Sequence, residues 1–158
     1  MSTVKHVEVV CAVIRNDSNE IFCCKRGSGR ALEGFWEFPG GKVEANETHE
    51  ETIVREIKEE LKTIIEPIKY IGVSNYEYTN LEKPFSITMY AYECKLIQGE
   101  LELIEHTEKK WVKVEDLDCI NFAAADFSSR DFEASFIKIS LCCSVIFSIF
   151  NLINSPKF

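Results

Sequence analysis

The stretch EFPGGKVEANETHEETIVREIKEEL, Glu37 to Leu61, sets a dense run of carboxylates behind a Pro-Gly-Gly break. From Thr48 to Lys62 the apolar residues keep helical period, with Ile53, Ile57 and Leu61 four apart and Val54 beside them. Thr48 and Glu51 have the form of a capping box, Asn46 is a rival cap, and Pro67 lies past the end. On such a helix Glu56, Glu59 and Glu60 fall within about 100° of one another, on an arc largely separate from the apolar stripe. Like charges at these spacings repel by a few tenths of a kcal/mol per pair. A bare E-x-x-E-E is ordinarily a solvated acidic face. The other reading is a hard divalent cation, which takes oxygen ligands. The context upstream favours the cation: the Gly40-Gly41 pair lets main chain approach a ligand closely, and Glu44 and Glu47 follow at once.

Working outward, Val4 to Arg15 is rich in β-branched residues and reads as a strand. Asn16-Asp17-Ser18-Asn19 is a turn cluster and Glu20 to Arg26 a second strand, so the chain opens with a hairpin. Ile64 to Val73 and Phe85 to Leu96 read as longer strands, the latter alternating Ile87, Met89 and Ala91. Lys109 to Val114 is a short strand, Glu115 to Leu117 opens a helical turn, and Phe127 begins a C-terminal helix. There is no repeat, low-complexity segment or linker. The pattern predicts one α/β domain.

With 158 residues, 46% apolar and 28% charged, the chain has enough material for one substantial core. A net charge of −8 argues against a nucleic-acid polymer as partner, because binding one requires a basic surface. A small polyanion remains compatible if metal ions or a local basic cluster offset the charge. The seven cysteines include no C-x-x-C pair and lack the spacing that would converge on a zinc ion. They read as reduced, mostly buried thiols of a cytoplasmic protein. MSTVKHVEVV has no apolar run of the signal-peptide kind. Ile139 to Ile153 is apolar but interrupted by Ser140, Ser144, Ser148 and Asn151, and falls short of the roughly twenty residues of a membrane span. We expect residues 141–158 to form a packed or partner-facing helical extension, with no membrane contact, behind a domain of residues 1–140.

The long spacing resembles the Nudix box, G-x5-E-x7-R-E-U-x-E-E-x-G-U with U aliphatic. Gly41, Glu47, Arg55, Glu56, Ile57, Glu59 and Glu60 fill it in register. Lys62 and Thr63 replace the final glycine and aliphatic residue, which bears on how the helix ends. From Val7 to about Ile137 the chain is similar to the MutT and CTP-pyrophosphohydrolase branch of that family. VIRNDSNEIFCCKR resembles its opening hairpin and EFPGGKVE its approach to the box. EHTEKKW resembles a loop carrying a further metal-facing glutamate, and FAAADF a segment where a polar residue meets the base.

The resemblance implies an α/β/α sandwich with a mixed sheet, hydrolysing nucleoside triphosphates to monophosphate and pyrophosphate with Mg²⁺, or Mn²⁺ in its place. Glu56, Glu59 and Glu60 would bind the metal together with the Gly40 carbonyl and Glu105. Arg55 would pair with Glu47 or another box carboxylate and orient it. Glu44 and Glu105 are extra metal or water-activating groups, and the general base is open among these acids. Lys25, Arg26 and Lys42 would offset substrate phosphates, with Phe38 and Phe122 as apolar walls for the base. Asp126 would read an exocyclic amine such as cytosine N4; as a helix cap it would serve equally well. The nucleotide is CTP- or dCTP-like, or oxidised in the manner of 8-oxo-dGTP. Other readings are hydrolysis of ADP-ribose or a dinucleoside polyphosphate, and a non-catalytic nucleotide sensor. The protein would be a monomer or homodimer.

Overall fold

A central strand organises the fold. The run Lys5–Arg15 forms β1, and its apolar residues are buried on both faces: Val7, Val9, Cys11 and Val13 on one, Val10, Ala12 and Ile14 on the other. Such a near-continuous apolar strand belongs in the middle of a covered sheet. The computed structural model describes residues 4–29, 33–78 and 85–120. In chain order they form β1, β2 (Glu20–Arg26), β3 (Trp36–Glu37), β4 (Gly40–Lys42), α1 (His49–Leu61), β5 (Ile64–Tyr78), β6 (Phe85–Gln98) and β7 (His106–Lys113). A 3-10 helix, Val114–Cys119, follows where a helical turn was expected.

The sheet is mixed. β1 runs parallel to β6 along its whole length, from Lys5 opposite Phe85 to Arg15 opposite Lys95. Its other edge is shared. The hairpin with β2 starts at Arg15 opposite Ile21, and β4 covers Val9 to Cys11. The turn is held by Asn16, whose Oδ1 accepts from the N–H of Ser18 at 3.0 Å and of Glu20 at 2.9 Å, while Asn19 takes the left-handed conformation. β2 pairs in turn with β3 and β7. β5 lies outermost on the path β3-β2-β1-β6-β5 and continues past its expected end at Val73 to Tyr78. Pro67 is tolerated inside β5, at a register shift, because an outer strand leaves one row of N–H groups outside the ladder.

Helix α1 turns Ile53, Ile57 and Leu61 onto Val10, Ala12, Ile14 and Phe22. Each such side chain contributes about 1.5–3 kcal/mol by leaving water. The opposite face gathers Val9, Cys11, Val13, Phe38 and Met89 with Leu117 of the 3-10 helix. Cys11, Cys23, Cys24 and Cys94 are buried thiols outside any disulfide, and Cys119 is an exposed one. Burial pushes the Cys11 and Cys23 thiols up to about 12, which keeps them protonated and inert. No helix among the described residues is long and apolar enough to cross a membrane. The expected helix from Phe127, the 141–158 extension, Phe122 and Asp126 lie outside the described residues.

Candidate active site

The Gly-Gly pair has a steric cause within the fold, besides the ligand approach expected of it. A Cβ on Gly40 would stand 2.1 Å from the Val10 carbonyl oxygen, and one on Gly41 would stand 2.0 Å from Cδ of Glu56. β4 therefore slides between β1 and α1 only as glycine, and the room at Gly41 is filled by a carboxylate.

Helix α1 starts on the predicted capping box. Thr48 is the N-cap, its Oγ1 accepting from the Glu51 N–H at 3.2 Å, while Glu51 accepts from the Thr48 N–H at 2.8 Å. Asn46 instead takes a positive φ in the preceding turn. At the far end Lys62 adopts the left-handed conformation, φ 54°, that the family motif gives to glycine, and its N–H bonds to the Lys58 carbonyl. A non-glycine residue there costs about 1 kcal/mol. Thr63, in the aliphatic position, is buried and donates its hydroxyl to the Gln98 carbonyl at 2.6 Å.

Arg55 sits among the box carboxylates and bonds two of them. Its Nε and one terminal nitrogen grip both oxygens of Glu47, at 2.6 and 2.9 Å. The other terminal nitrogen donates to Glu56 Oε1 at 2.8 Å and lies 3.5 Å from Glu59, and a further bond reaches the Lys42 carbonyl at 3.2 Å. A guanidinium fork fits this bidentate work. The Arg55 bonds, aided by Thr52, hold the Glu47 carboxyl at about 2. They also raise the proton affinity of Arg55 itself.

The three helix carboxylates divide. Glu59 is 62% exposed on the Arg55 side. Glu56 is largely buried, and desolvation raises its pKa despite the opposing charge of Arg55. Glu60 lies deepest, and its pKa is raised well above the usual range, first by burial and then by the charges of Glu56, Glu37 and Glu105. Only a hydrogen bond from the Gly40 main chain works the other way. Its Oε2 is buried without a hydrogen-bond partner among the described residues. Glu105 reaches this cluster because residues 101–104 run along the helix end, the N–H groups of Glu102 and Ile104 bonding the carbonyls of Leu61 and Glu60 at 2.9 and 3.3 Å. Those carbonyls have no partner inside the helix, so the bonds satisfy them. Glu56 and Glu60 are half-buried and Glu105 is exposed. Clustered carboxylates around one buried, orphaned oxygen are what a hard cation relieves, and Glu56, Glu60, Glu105 and the Gly40 main chain fit one.

Other expectations fare differently. Glu44 is exposed, and its main chain is tied to Glu47 in the turn before α1. Lys42 is half-buried. Lys25 is engaged with Glu108 at 2.8 Å and with the Trp36 ring. Arg26, expected at the surface facing phosphate, is 2% exposed, with Nη1 3.7 Å from Glu37. Phe38 is fully enclosed in the core, so it forms no wall of an open base pocket. β7 begins at His106, earlier than the Lys109 start expected, because His106 pairs with Arg26 across a bulge in β2.

Sequence reasoning missed Glu37 and His106. Both are buried, and His106 Nε2 donates to Glu37 Oε1. With Cys24 they form a group whose donor atoms lie within 4.8 Å of one another. A lone charge beside apolar residues in EFPGG was the available signal, but a two-residue strand has no period to read.

Residues 5–136 match the NUDIX domain, and the chain belongs to the Nudix family. Within it, the chain is MutT-like and a hydrolase, as its box and flanks implied. It is 28% identical over 123 residues to the 8-oxo-dGTP diphosphatase of Escherichia coli K12, covering 78% of this chain and 92% of that one. The CTP pyrophosphohydrolase of the same strain is 31% identical, with 78% and 87% covered. The solution structure of the E. coli ORF135 protein matches at a TM-score of 0.65, with 26% identity and coverage of 100% and 99%. The MutT protein of Methanosarcina mazei Go1 matches at 0.66 and 26%, covering 77% and 88%. The sheet and helix described above are those of the Nudix α/β/α sandwich. Nudix hydrolases generally use a divalent metal ion.

Proposed function

We propose that this protein is a Mg²⁺-dependent nucleoside-triphosphate pyrophosphohydrolase, releasing a nucleoside monophosphate and pyrophosphate from CTP- or dCTP-type or oxidised 8-oxo-dGTP-type nucleotides. The observation that carries the reading is Glu60: a half-buried side chain with one oxygen buried and orphaned among the described residues, acted on by the charges of Glu56 and Glu105. Glu56, Glu60, Glu105 and the Gly40 main chain would hold Mg²⁺, with Glu59 at the exposed margin. When bound, the ion supplies charge neutralisation at the phosphates and a more acidic water.

The chain's own residues supply the geometry. Arg55 locks Glu47 and Glu56 in fixed orientations, so the carboxylates do not rearrange as charge develops on the phosphates. The bond from Gly40 keeps one oxygen of Glu60 turned toward β4. Lys42 is the best-placed of the three expected phosphate-facing cations, since Arg26 is buried and Lys25 engaged. The two enzyme relatives named above are a diphosphatase and a pyrophosphohydrolase of triphosphates, which supports the substrate class over ADP-ribose. A silent sensor would have no use for an intact set of box carboxylates. The test incubates the protein with canonical, methylated and oxidised triphosphates and with ADP-ribose, with and without Mg²⁺, and identifies products by chromatography. Monophosphate plus pyrophosphate, formed only with metal, is the expected result. Turnover of ADP-ribose alone, or none, would refute the reading.

A further inference from the structure

β7 begins directly after Glu105, and its first side chain turns inward. His106 is 8% exposed and gives its Nε2–H to Oε1 of Glu37 on β3. Glu37 is 3% exposed, and its second oxygen faces Arg26 of β2. Three strands thus meet at one buried charged group, and nothing in the Nudix box calls for it. Buried polar networks of this kind hold register tightly, because breaking one strands a charge away from water.

The location gives the network its meaning. β3 continues through Pro39 to Gly40, whose main chain bonds Glu60. β7 carries Glu105 at its head, and one residue earlier the Ile104 N–H bonds the Glu60 carbonyl at 3.3 Å. Glu105 is therefore anchored from both sides, and Gly27 gives its main chain room: a Cβ there would stand 3.0 Å from the Glu105 carbonyl oxygen. The charges of Glu37 and Glu105 are both felt at Glu60.

We propose that Glu37 and His106 are positioning residues for hydrolysis: their buried bond sets Glu105 against Glu60 so that the carboxylates form one cation site. The inference rests on the function proposed above. The same cluster does not suit a soft metal of its own, although Cys24, Glu37 and His106 bring donors together. The Arg26 guanidinium already neutralises Glu37, and the Cys24 thiol donates to the Glu37 carbonyl at 3.5 Å.

The test measures Mn²⁺ binding by electron paramagnetic resonance, kcat and KM for the preferred triphosphate, and melting temperature in the full chain. His106→Leu should weaken Mn²⁺ binding about tenfold or more and lower kcat by a similar factor, the usual cost of losing a group that orients metal ligands. KM should stay within about twofold. His106→Gln, which keeps an N–H for Glu37, should restore most of both losses. In a Glu105→Gln background His106→Leu should add little, because the two act through one carboxylate. His106→Asn, too short to reach Glu37, serves should the leucine variant not fold. A fall in melting temperature with Mn²⁺ affinity and kcat unchanged, or losses that add in full to those of Glu105→Gln, would overturn the inference. A wild type that neither binds Mn²⁺ nor hydrolyses any triphosphate brings down both readings. A wild type that does both while every His106 variant matches it overturns this one alone.

Discussion

Glu60→Gln separates a metal site from an acidic surface more sharply than a change at exposed Glu59. Glutamine keeps the shape and can still accept the bond from Gly40, but it removes a charge held against Glu56, Glu37 and Glu105. A buried charged acceptor left unsatisfied costs about 1–3 kcal/mol. Without metal the variant should therefore be more stable than wild type by about that amount, or roughly 2–4 °C per kcal/mol for a domain of this size. The sign with pH follows from the raised Glu60 pKa. The folded wild type holds its proton more tightly than the unfolded chain, so its stability is fullest below the unfolded value near 4.5 and declines as pH rises through the raised one. The stability gap between variant and wild type should be smallest near pH 4.5 and widen toward pH 8. Saturating Mg²⁺, at about 100 times its dissociation constant, should stabilise wild type by about 2.7 kcal/mol and the variant far less. Turnover should fall at least about a hundredfold. Thermal melts across pH, with and without Mg²⁺, and a pyrophosphate-release assay decide the matter. A Gln variant less stable at every pH, or one that turns over near wild-type rate at limiting Mg²⁺, would refute the reasoning.

Arg55→Met should release Glu47 and Glu56 together, lowering kcat about tenfold to a hundredfold, as loss of a ligand-orienting group does. The Glu47 carboxyl, held at about 2 by that clamp, should then titrate close to the ordinary value when followed by NMR. Lys62→Gly should relieve the left-handed strain at the helix end and add about 1 kcal/mol of stability, with kcat unchanged, read by denaturant titration. Asp126→Ala should erode the preference between dCTP and 8-oxo-dGTP by about ten- to a hundredfold in kcat/KM if Asp126 reads the base. A loss of about 1 kcal/mol in stability with the ratio unchanged would make it a helix cap.

Features with a local cause could be read along the chain. The period of Ile53, Ile57 and Leu61, the capping pair Thr48 and Glu51, the Asn16–Asn19 turn and the eight-residue step from Glu47 to Arg55 all act within one or two helical turns or one hairpin. The same locality made the Nudix box legible and, with it, the family and its sandwich. Burial is not local, and tertiary structure alone settled it. Glu56, Glu59 and Glu60 look equivalent in sequence, yet only the last two turns of α1, pressed against β4 and residues 101–104, decide that Glu60 sinks while Glu59 stays in water. Arg26 and Phe38 likewise sit inward because β2 and the chain after β3 face a core that no short window reveals. Glu37 and His106 are 69 residues apart, and they meet because β2 pairs with β3 on one edge and β7 on the other. Backbone spacing is written in the order of residues, whereas the company a charged side chain keeps is set by which strands close around it.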